Sequence, residues 1–93
     1  MASELPTILM QPDWDAPSPL WPQSDETDSL VPPELLVRLE RWQETYNEHC
    51  NWEKGWDSPE VRRHWAEEGE LLTAQLTQAL AGKALLDVAW RSC

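Results

Sequence analysis

"PEVRRHWAEEGELLTAQLTQALAG", residues 59–82, decides the fold, because its apolar positions recur at the period of an α-helix. The steps between them are four, four, three, four and four residues, so they share one face. Gly82 stands where a glycine commonly ends a helix. The pattern therefore predicts a helix over residues 58–81. Its apolar face comprises Val61, Trp65, Gly69, Leu72, Leu76 and Leu80.

Gly69 is an unusual member of that face. A glycine inside a helix costs about 1 kcal/mol relative to alanine. Its position among large apolar residues predicts that a neighbouring ring, from Trp42 or Tyr46, approaches the helix closely. The alternative is a tolerated kink with no packing role.

The preceding segment, residues 31–50, predicts a second long helix. Pro33 suits a first helical turn, and Glu34 favours the positive end of the helix dipole. One apolar face follows at steps of four, three and four residues. That face comprises Leu35, Leu39, Trp42 and Tyr46. We expect this helix over residues 33–50.

The ten residues "NWEKGWDSPE", 51–60, connect the two helices. Gly55 allows the chain to reverse, so residues 51–57 are predicted to form a turn. Either Asp57 or Ser58 can cap the next helix, and both readings place Trp56 beside the cap. Trp56 is therefore expected to clamp the helix, together with Val61, whereas Trp52 is expected to stay partly exposed.

Short strands are predicted at both ends of the chain. "PTILM", residues 6–10, is a short apolar run, and residues 83–91 alternate with Leu86, Val88 and Trp90 on one face. The predicted fold is α+β and mainly helical: an antiparallel two-helix hairpin with short terminal strands, β-α-α-β, in one domain. If the helices form this hairpin, the terminal strands can meet antiparallel, within one chain or between two chains. The residues expected to be structural are Trp42, Tyr46, Trp56, Val61, Trp65, Gly69, Leu72, Leu76 and Trp90.

Residues 1–32 combine the short strand with a proline-rich acidic segment, 11–29. Prolines at positions 12, 17, 19 and 22 exclude a helix or a central strand, so a loop is predicted. Trp14, Leu20 and Trp21 lie within it. The loop is either a strap packed on the domain or an exposed recognition segment stiffened by proline.

The charge is strongly negative: 17 acidic against seven basic residues, a net charge of −10. Residues 1–37 contain no Lys or Arg. Such a chain is repelled by nucleic acid and by anionic membranes. The charge indicates a basic protein partner, or else only keeps a protein with seven tryptophans soluble. The residues predicted to bind the partner are Trp14, Trp21, Trp52, Asp13, Asp15, Asp25, Glu26 and Asp28.

Catalytic and metal-binding patterns are weak. A zinc site needs about four ligands at workable spacing. The two histidines and two cysteines do not have the spacing of such a ligand set. Cys50 and His64 could form a nucleophile pair, but no glycine-rich oxyanion turn accompanies them. We expect a non-enzymatic protein without cofactor or metal. No signal peptide or membrane-spanning run is visible, which predicts a cytoplasmic protein with free thiols.

The order of these segments resembles a group of small, acidic, tryptophan-rich bacterial proteins. The shared stretches are "DWDAPSPLW" at 13–21, "RLERW" at 38–42, "GWDSPEVRRHWAEEG" at 55–69 and a terminal apolar strand. The resemblance implies a bacterial intracellular protein and carries no established activity with it. Small acidic proteins of this type are similar to immunity partners of toxins.

Three functions follow as hypotheses. The first is an immunity- or inhibitor-type module that blocks a basic partner protein, with tryptophans as anchors and acidic groups that speed association. The second is a self-associating structural or accessory protein, whose partner is a second copy of itself as a homodimer. The third is a DNA-mimicking anti-defence protein.

Overall fold

A computed structural model describes residues 5–93. The predicted α+β class and the β-α-α-β order of its main elements are confirmed, with several short elements added between them. In chain order the elements are β1 Thr7–Met10, β2 Leu20–Trp21, α1 Asp25–Ser29, α2 Pro33–His49, β3 Cys50–Asn51, β4 Gly55–Trp56, α3 Pro59–Ala79, β5 Leu85–Val88 and a 3-10 turn, Trp90–Ser92. No helix among the described residues is long and apolar enough to cross a membrane.

The two long helices form an antiparallel hairpin. Arg38 near the start of α2 reaches Gln75 and Glu68 of α3, with N–O distances of 2.6 and 3.2 Å. The start of α3 is capped by Ser58, whose Oγ accepts a hydrogen bond from the Val61 amide at 3.3 Å. The alternative cap, Asp57, is therefore wrong. Pro59, which follows Ser58, lies in the first turn of α3, where its missing N–H is not needed.

Tryptophan rings fill the space between the helices. Trp90 packs edge-on against Trp42 and Trp65, with ring centroids 5.4 and 5.5 Å apart. Tyr46 and Trp56 pack against Trp65 from the other side, at 5.8 and 4.9 Å. Trp56 is half-buried and Val61 also keeps part of its surface in solvent. The predicted structural residues that are fully buried are Trp42, Tyr46, Trp65, Gly69, Leu72, Leu76 and Trp90.

Gly69 lies directly beneath two of these rings. A Cβ added there would lie 2.8 Å from Cη2 of Trp90 and 3.0 Å from Cζ2 of Trp42. The expected close neighbour is thus found, but Trp90 is the nearer ring and Tyr46 is not among the nearest atoms. The sequence could not indicate this, because Trp90 reaches α3 only after the chain has crossed the sheet.

The sheet has the order β2-β1-β5, and its terminal strands run parallel. β1 pairs with β5 from Thr7 opposite Leu85 to Met10 opposite Val88. The predicted antiparallel pairing is therefore wrong. The reason is the antiparallel strand β2, which was not predicted and adds a reversal of the chain before the helices begin.

Two further expectations for the chain ends are corrected. Segment 11–29 is not all loop, since it contains β2 and the short helix α1. β2 lies at a sheet edge, where flanking prolines do not interrupt a ladder, and Ser24 caps α1 through its Oγ. The strand expected over residues 83–91 ends at Val88, because its partner strand ends at Met10. Trp90 instead lies in the 3-10 turn that follows.

Candidate functional site

A groove of about 660 Å³ opens where the proline-rich segment meets the end of the helical hairpin. Its walls come from Trp14 and Asp15 on one side and from the β3–β4 hairpin on the other. The last residues of α2, from Asn47 to His49, complete the lining. We refer to it as the tryptophan groove, because Trp14 and Trp52 stand at its two walls.

The strap, residues 11–19, is held on α2 by two side-chain amides. The buried Gln43 accepts a hydrogen bond from the Asp13 amide at 3.3 Å and donates Nε2 to the Asp13 carbonyl at 2.5 Å. Asn47 Oδ1 accepts from the Asp15 amide at 3.0 Å. Asp15 has φ +64°, a left-handed conformation that aspartate tolerates better than most residues. The segment is therefore a packed strap on the domain.

Trp14 is anchored by the strap without being buried. Its indole Nε1 donates to the Cys50 carbonyl at 2.7 Å, and its ring lies 5.3 Å from that of Tyr46. Even so, 43% of the residue stays exposed. One part of the indole is fixed by the protein, and the remainder is presented to the groove.

Trp52 is presented by a tightly turned hairpin. Cys50 pairs with Trp56 across β3 and β4, and Gly55 supplies a left-handed φ of +76° at the turn. Asn51 Oδ1 accepts hydrogen bonds from the amides of Glu53 and Lys54 at 2.8 and 3.1 Å. These bonds fix the backbone on either side of Trp52, which is itself 71% exposed.

Carboxylates dominate the charge of the groove. Asp15, Glu48 and Asp57 line it, against Lys54 as the one Lys or Arg in its lining. The His49 ring lies between two of the acids: Nδ1 is 3.1 Å from Asp57 Oδ1, and Nε2 is 3.9 Å from Glu48 Oε2. The Asp57 amide also donates to the His49 carbonyl at 2.8 Å. The groove is thus an aromatic surface with a negative rim.

Beneath the groove lie the phenol of Tyr46 and the thiol of Cys93, both with raised pKa values. Burial raises the pKa of the Tyr46 phenol far above its ordinary value, and the thiols of Cys50 and Cys93 add to the shift. Burial also raises the pKa of the Cys93 thiol, with Cys50 as the second cause. A raised thiol pKa lowers the thiolate fraction and hence the nucleophilicity. His64 lies on the exposed side of α3 beside Glu67, while Cys50 is buried.

Within residues 5–93, no three His, Cys, Asp or Glu side chains converge as metal ligands would. The structure divides the residues predicted to bind the partner into two sets. Trp14, Asp15 and Trp52 line the groove, and Asp13 lines an adjoining cavity with both tryptophans.

The second set lies on β2 and α1. Trp21 is half-buried at the sheet edge, and its indole Nε1 donates to the Gln11 carbonyl at 2.8 Å. Asp25 and Glu26 are exposed on α1, and Asp28 is half-buried there. None of these four side chains lines the tryptophan groove.

Sequence reasoning missed Glu48, His49 and Asp57 as groove residues. The sequence indicated Asp57 only as a possible cap of the second helix. Their adjacency to Trp52 in the sequence was the available signal. That signal could be interpreted only with the structure, because the pairing of β3 with β4 is what brings Asp57 next to His49.

Fold and groove together define a small α+β domain that presents aromatic and acidic side chains on a preformed surface. Residues 6–88 match the family described as Serratia CdiI immunity protein-like, and the chain belongs to this family. It is a small bacterial family of contact-dependent inhibition immunity proteins. Comparisons with curated proteins and with solved structures gave no match.

Membership of this family supports the immunity- or inhibitor-type binding role expected from the sequence. It also implies that the partner is a toxin protein.

Proposed function

We propose that this protein neutralises a toxin domain by binding it through the tryptophan groove, without catalysis. The observation that carries the proposal is the pair of partly exposed indoles, Trp52 at 71% and Trp14 at 43%, on a surface rimmed by carboxylates. Family membership supports a toxin as the kind of partner, and the exposed indoles support the groove as the place of contact.

The groove has the physical features of a binding hot spot. Tryptophan is enriched among the residues that dominate interface energies, and it loses little conformational freedom on binding. Asn51 and Gln43 hold the backbone that presents Trp52 and Trp14, which lowers the ordering cost of association. A partner that covers the groove would desolvate both rings.

The charge favours a basic toxin domain. The net charge of −10 attracts a positively charged surface over long range, and the carboxylates at the groove orient its approach. Such steering raises the association rate and weakens as salt screens it. The proposal places the complex in the cytoplasm, where Cys50 and Cys93 would remain reduced thiols.

The test is calorimetric titration of the cognate toxin domain into wild-type protein and variants. Trp52→Ala is expected to lower the affinity at least about thirtyfold, as for a hot-spot residue. The matched control is Leu71→Ala, which truncates a side chain that is 56% exposed on α3 and does not line the groove. Both variants should keep the wild-type melting temperature. Wild-type affinity for Trp52→Ala would refute the groove as the binding surface.

Self-association through β5 is the second candidate. β5 forms one edge of the sheet, and Leu85 at its start is 55% exposed. An unpaired strand edge can add a strand from a second copy. Light scattering over a dilution series distinguishes self-association from toxin binding. A dimer that persists at the lowest concentration favours self-association through β5, and a monomer at every concentration tested rules it out over that range.

A further inference from the structure

We propose that the tryptophan groove receives an arginine side chain of the toxin partner. This inference rests on the proposed function and specifies the chemical group that the groove recognises. The side chain would lie with its guanidinium plane against an exposed indole and its N–H groups on the rim carboxylates.

The charge of the groove selects a cation. Three carboxylates, from Asp15, Glu48 and Asp57, share the groove with one ammonium group, from Lys54, and with the His49 ring that lies between Glu48 and Asp57. The Glu48 and Asp57 side chains are 62% and 58% exposed, so their oxygens keep lone pairs available to a partner. An apolar partner segment would strip water from these acids without replacing their hydrogen bonds, at a substantial cost.

The aromatic walls select arginine over lysine. A guanidinium is planar, weakly hydrated and able to stack on an indole while it donates to carboxylates at its edge. An ammonium is a strongly hydrated point charge and gains less from the ring faces. Trp14 and Trp52 offer partly exposed rings within the same groove as the carboxylates.

Within the part of the chain that the structure describes, Arg91 already makes a contact of this kind. Its guanidinium carbon lies 5.5 Å from the ring centroid of Trp90. Its Nε and Nη2 donate to the two carboxylate oxygens of Glu70, both at 2.8 Å. The lining of the groove likewise contains tryptophan rings and carboxylates, and it contains no arginine.

The test uses N-acetyl-L-arginine amide as the probe, with the lysine and norleucine amides as comparisons. Each is titrated into the full chain while the indole N–H signals are followed by NMR. The arginine amide should shift the Trp14 and Trp52 signals saturably, and it should bind about fivefold more tightly than the lysine amide. The norleucine amide should leave both signals unchanged.

A pair of charge variants locates the carboxylate contribution. Asp15→Asn removes one rim charge, and asparagine tolerates the left-handed φ at that position. We expect it to weaken the arginine amide about threefold, while the matched control Asp25→Asn on α1 leaves its affinity unchanged. Equal weakening by both variants would reveal long-range attraction only and overturn the arginine site.

Equal binding of the arginine and lysine amides, or shifts confined to other tryptophans, would also overturn it. The proposed function would be unaffected by those results, because it is decided separately by the toxin titration with Trp52→Ala. Conversely, wild-type toxin affinity in Trp52→Ala together with selective arginine binding would refute the groove as the toxin-binding surface and leave only a cation site.

Discussion

Trp42 and Trp65 form a reciprocal pair across the helical hairpin. Their rings stack with centroids 4.3 Å apart and an interplanar angle of 5°. Each indole Nε1 donates to the backbone carbonyl of the other residue, at 2.8 Å from Trp42 and 3.0 Å from Trp65. The pair therefore fixes the register of α2 against α3 by stacking and by hydrogen bonds together, and it satisfies two polar groups that would otherwise be buried without partners.

Gly69→Ala is expected to destabilise the protein despite the better helix propensity of alanine. The added Cβ would lie 2.8 to 3.0 Å from ring atoms of Trp90 and Trp42, both fully packed. Overpacking of this kind costs about 1–3 kcal/mol in free energy of unfolding, which outweighs the propensity gain of about 1 kcal/mol.

Urea unfolding monitored by tryptophan fluorescence measures the effect of Gly69→Ala. The control is Ala74→Gly, an exposed site on the same helix, where propensity alone should lower stability by about 1 kcal/mol. A more stable Gly69→Ala variant would show that the rings move aside freely.

Gln43→Ala is expected to release the strap from α2. The change removes the acceptor of the Asp13 amide and the donor to the Asp13 carbonyl at a buried site. Loss of such a buried pair costs about 1–3 kcal/mol. Trp14 should become more accessible, as measured by NMR and by acrylamide quenching. Gln78→Ala, at an exposed position of α3, should change neither quantity, and unchanged Trp14 signals in Gln43→Ala would contradict the anchoring role.

Asn51→Ala is expected to loosen the loop that presents Trp52. The variant loses the side-chain oxygen that accepts from Glu53 and Lys54. Because this loop is exposed, global stability should fall by less than about 1 kcal/mol. Toxin affinity should fall about tenfold, since the loop must then be ordered on binding. Asn51→Asp retains the acceptor and should keep most of the wild-type affinity for the toxin. If Asn51→Asp bound the toxin as weakly as Asn51→Ala, the loop-ordering explanation would be wrong.

Alkaline pH is expected to destabilise the protein through Tyr46. Burial raises the pKa of its phenol above the unfolded value, which is about 10. The folded state then holds a proton that the unfolded state releases, so this contribution is complete below about pH 10 and is lost as the pH rises further.

Tyr46 is the only tyrosine, so the ultraviolet absorbance of its phenolate reports this titration directly. Ionisation should coincide with unfolding rather than precede it. Tyr46→Phe should flatten the dependence of the urea midpoint on pH above about 10. A phenol that titrates at its ordinary pKa in the folded state would show that the site is open to water.

The helices could be predicted from the sequence because their signals are local. The apolar period of residues 59–82 and the Ser58-Pro59 start depend only on residues within a few turns of each other. Gly69 also predicted a close contact, since a glycine within the apolar face of a helix leaves room for a neighbouring side chain. Which neighbour it meets was beyond local reasoning: Trp90 is separated from it by the whole of β5.

The candidate site was partly predictable for the same reason. Trp14 and Trp52 could be proposed as anchors from composition and from their loop surroundings. Their shared groove could not, because the residues are 38 positions apart in the chain. The contacts that join their segments, such as Trp14 Nε1 to the Cys50 carbonyl, arise only after the strap is laid on α2.

The sequence by itself determined two amphipathic helices, short apolar end segments and a strongly acidic surface, because helix periodicity, capping and charge are properties of neighbouring residues. Tertiary structure alone decided the parallel pairing of β1 with β5, the packing of Trp90 over Gly69, and the meeting of strap and hairpin at one groove. These features depend on contacts between distant segments, whose free energy is gained only when the whole chain has closed on its core.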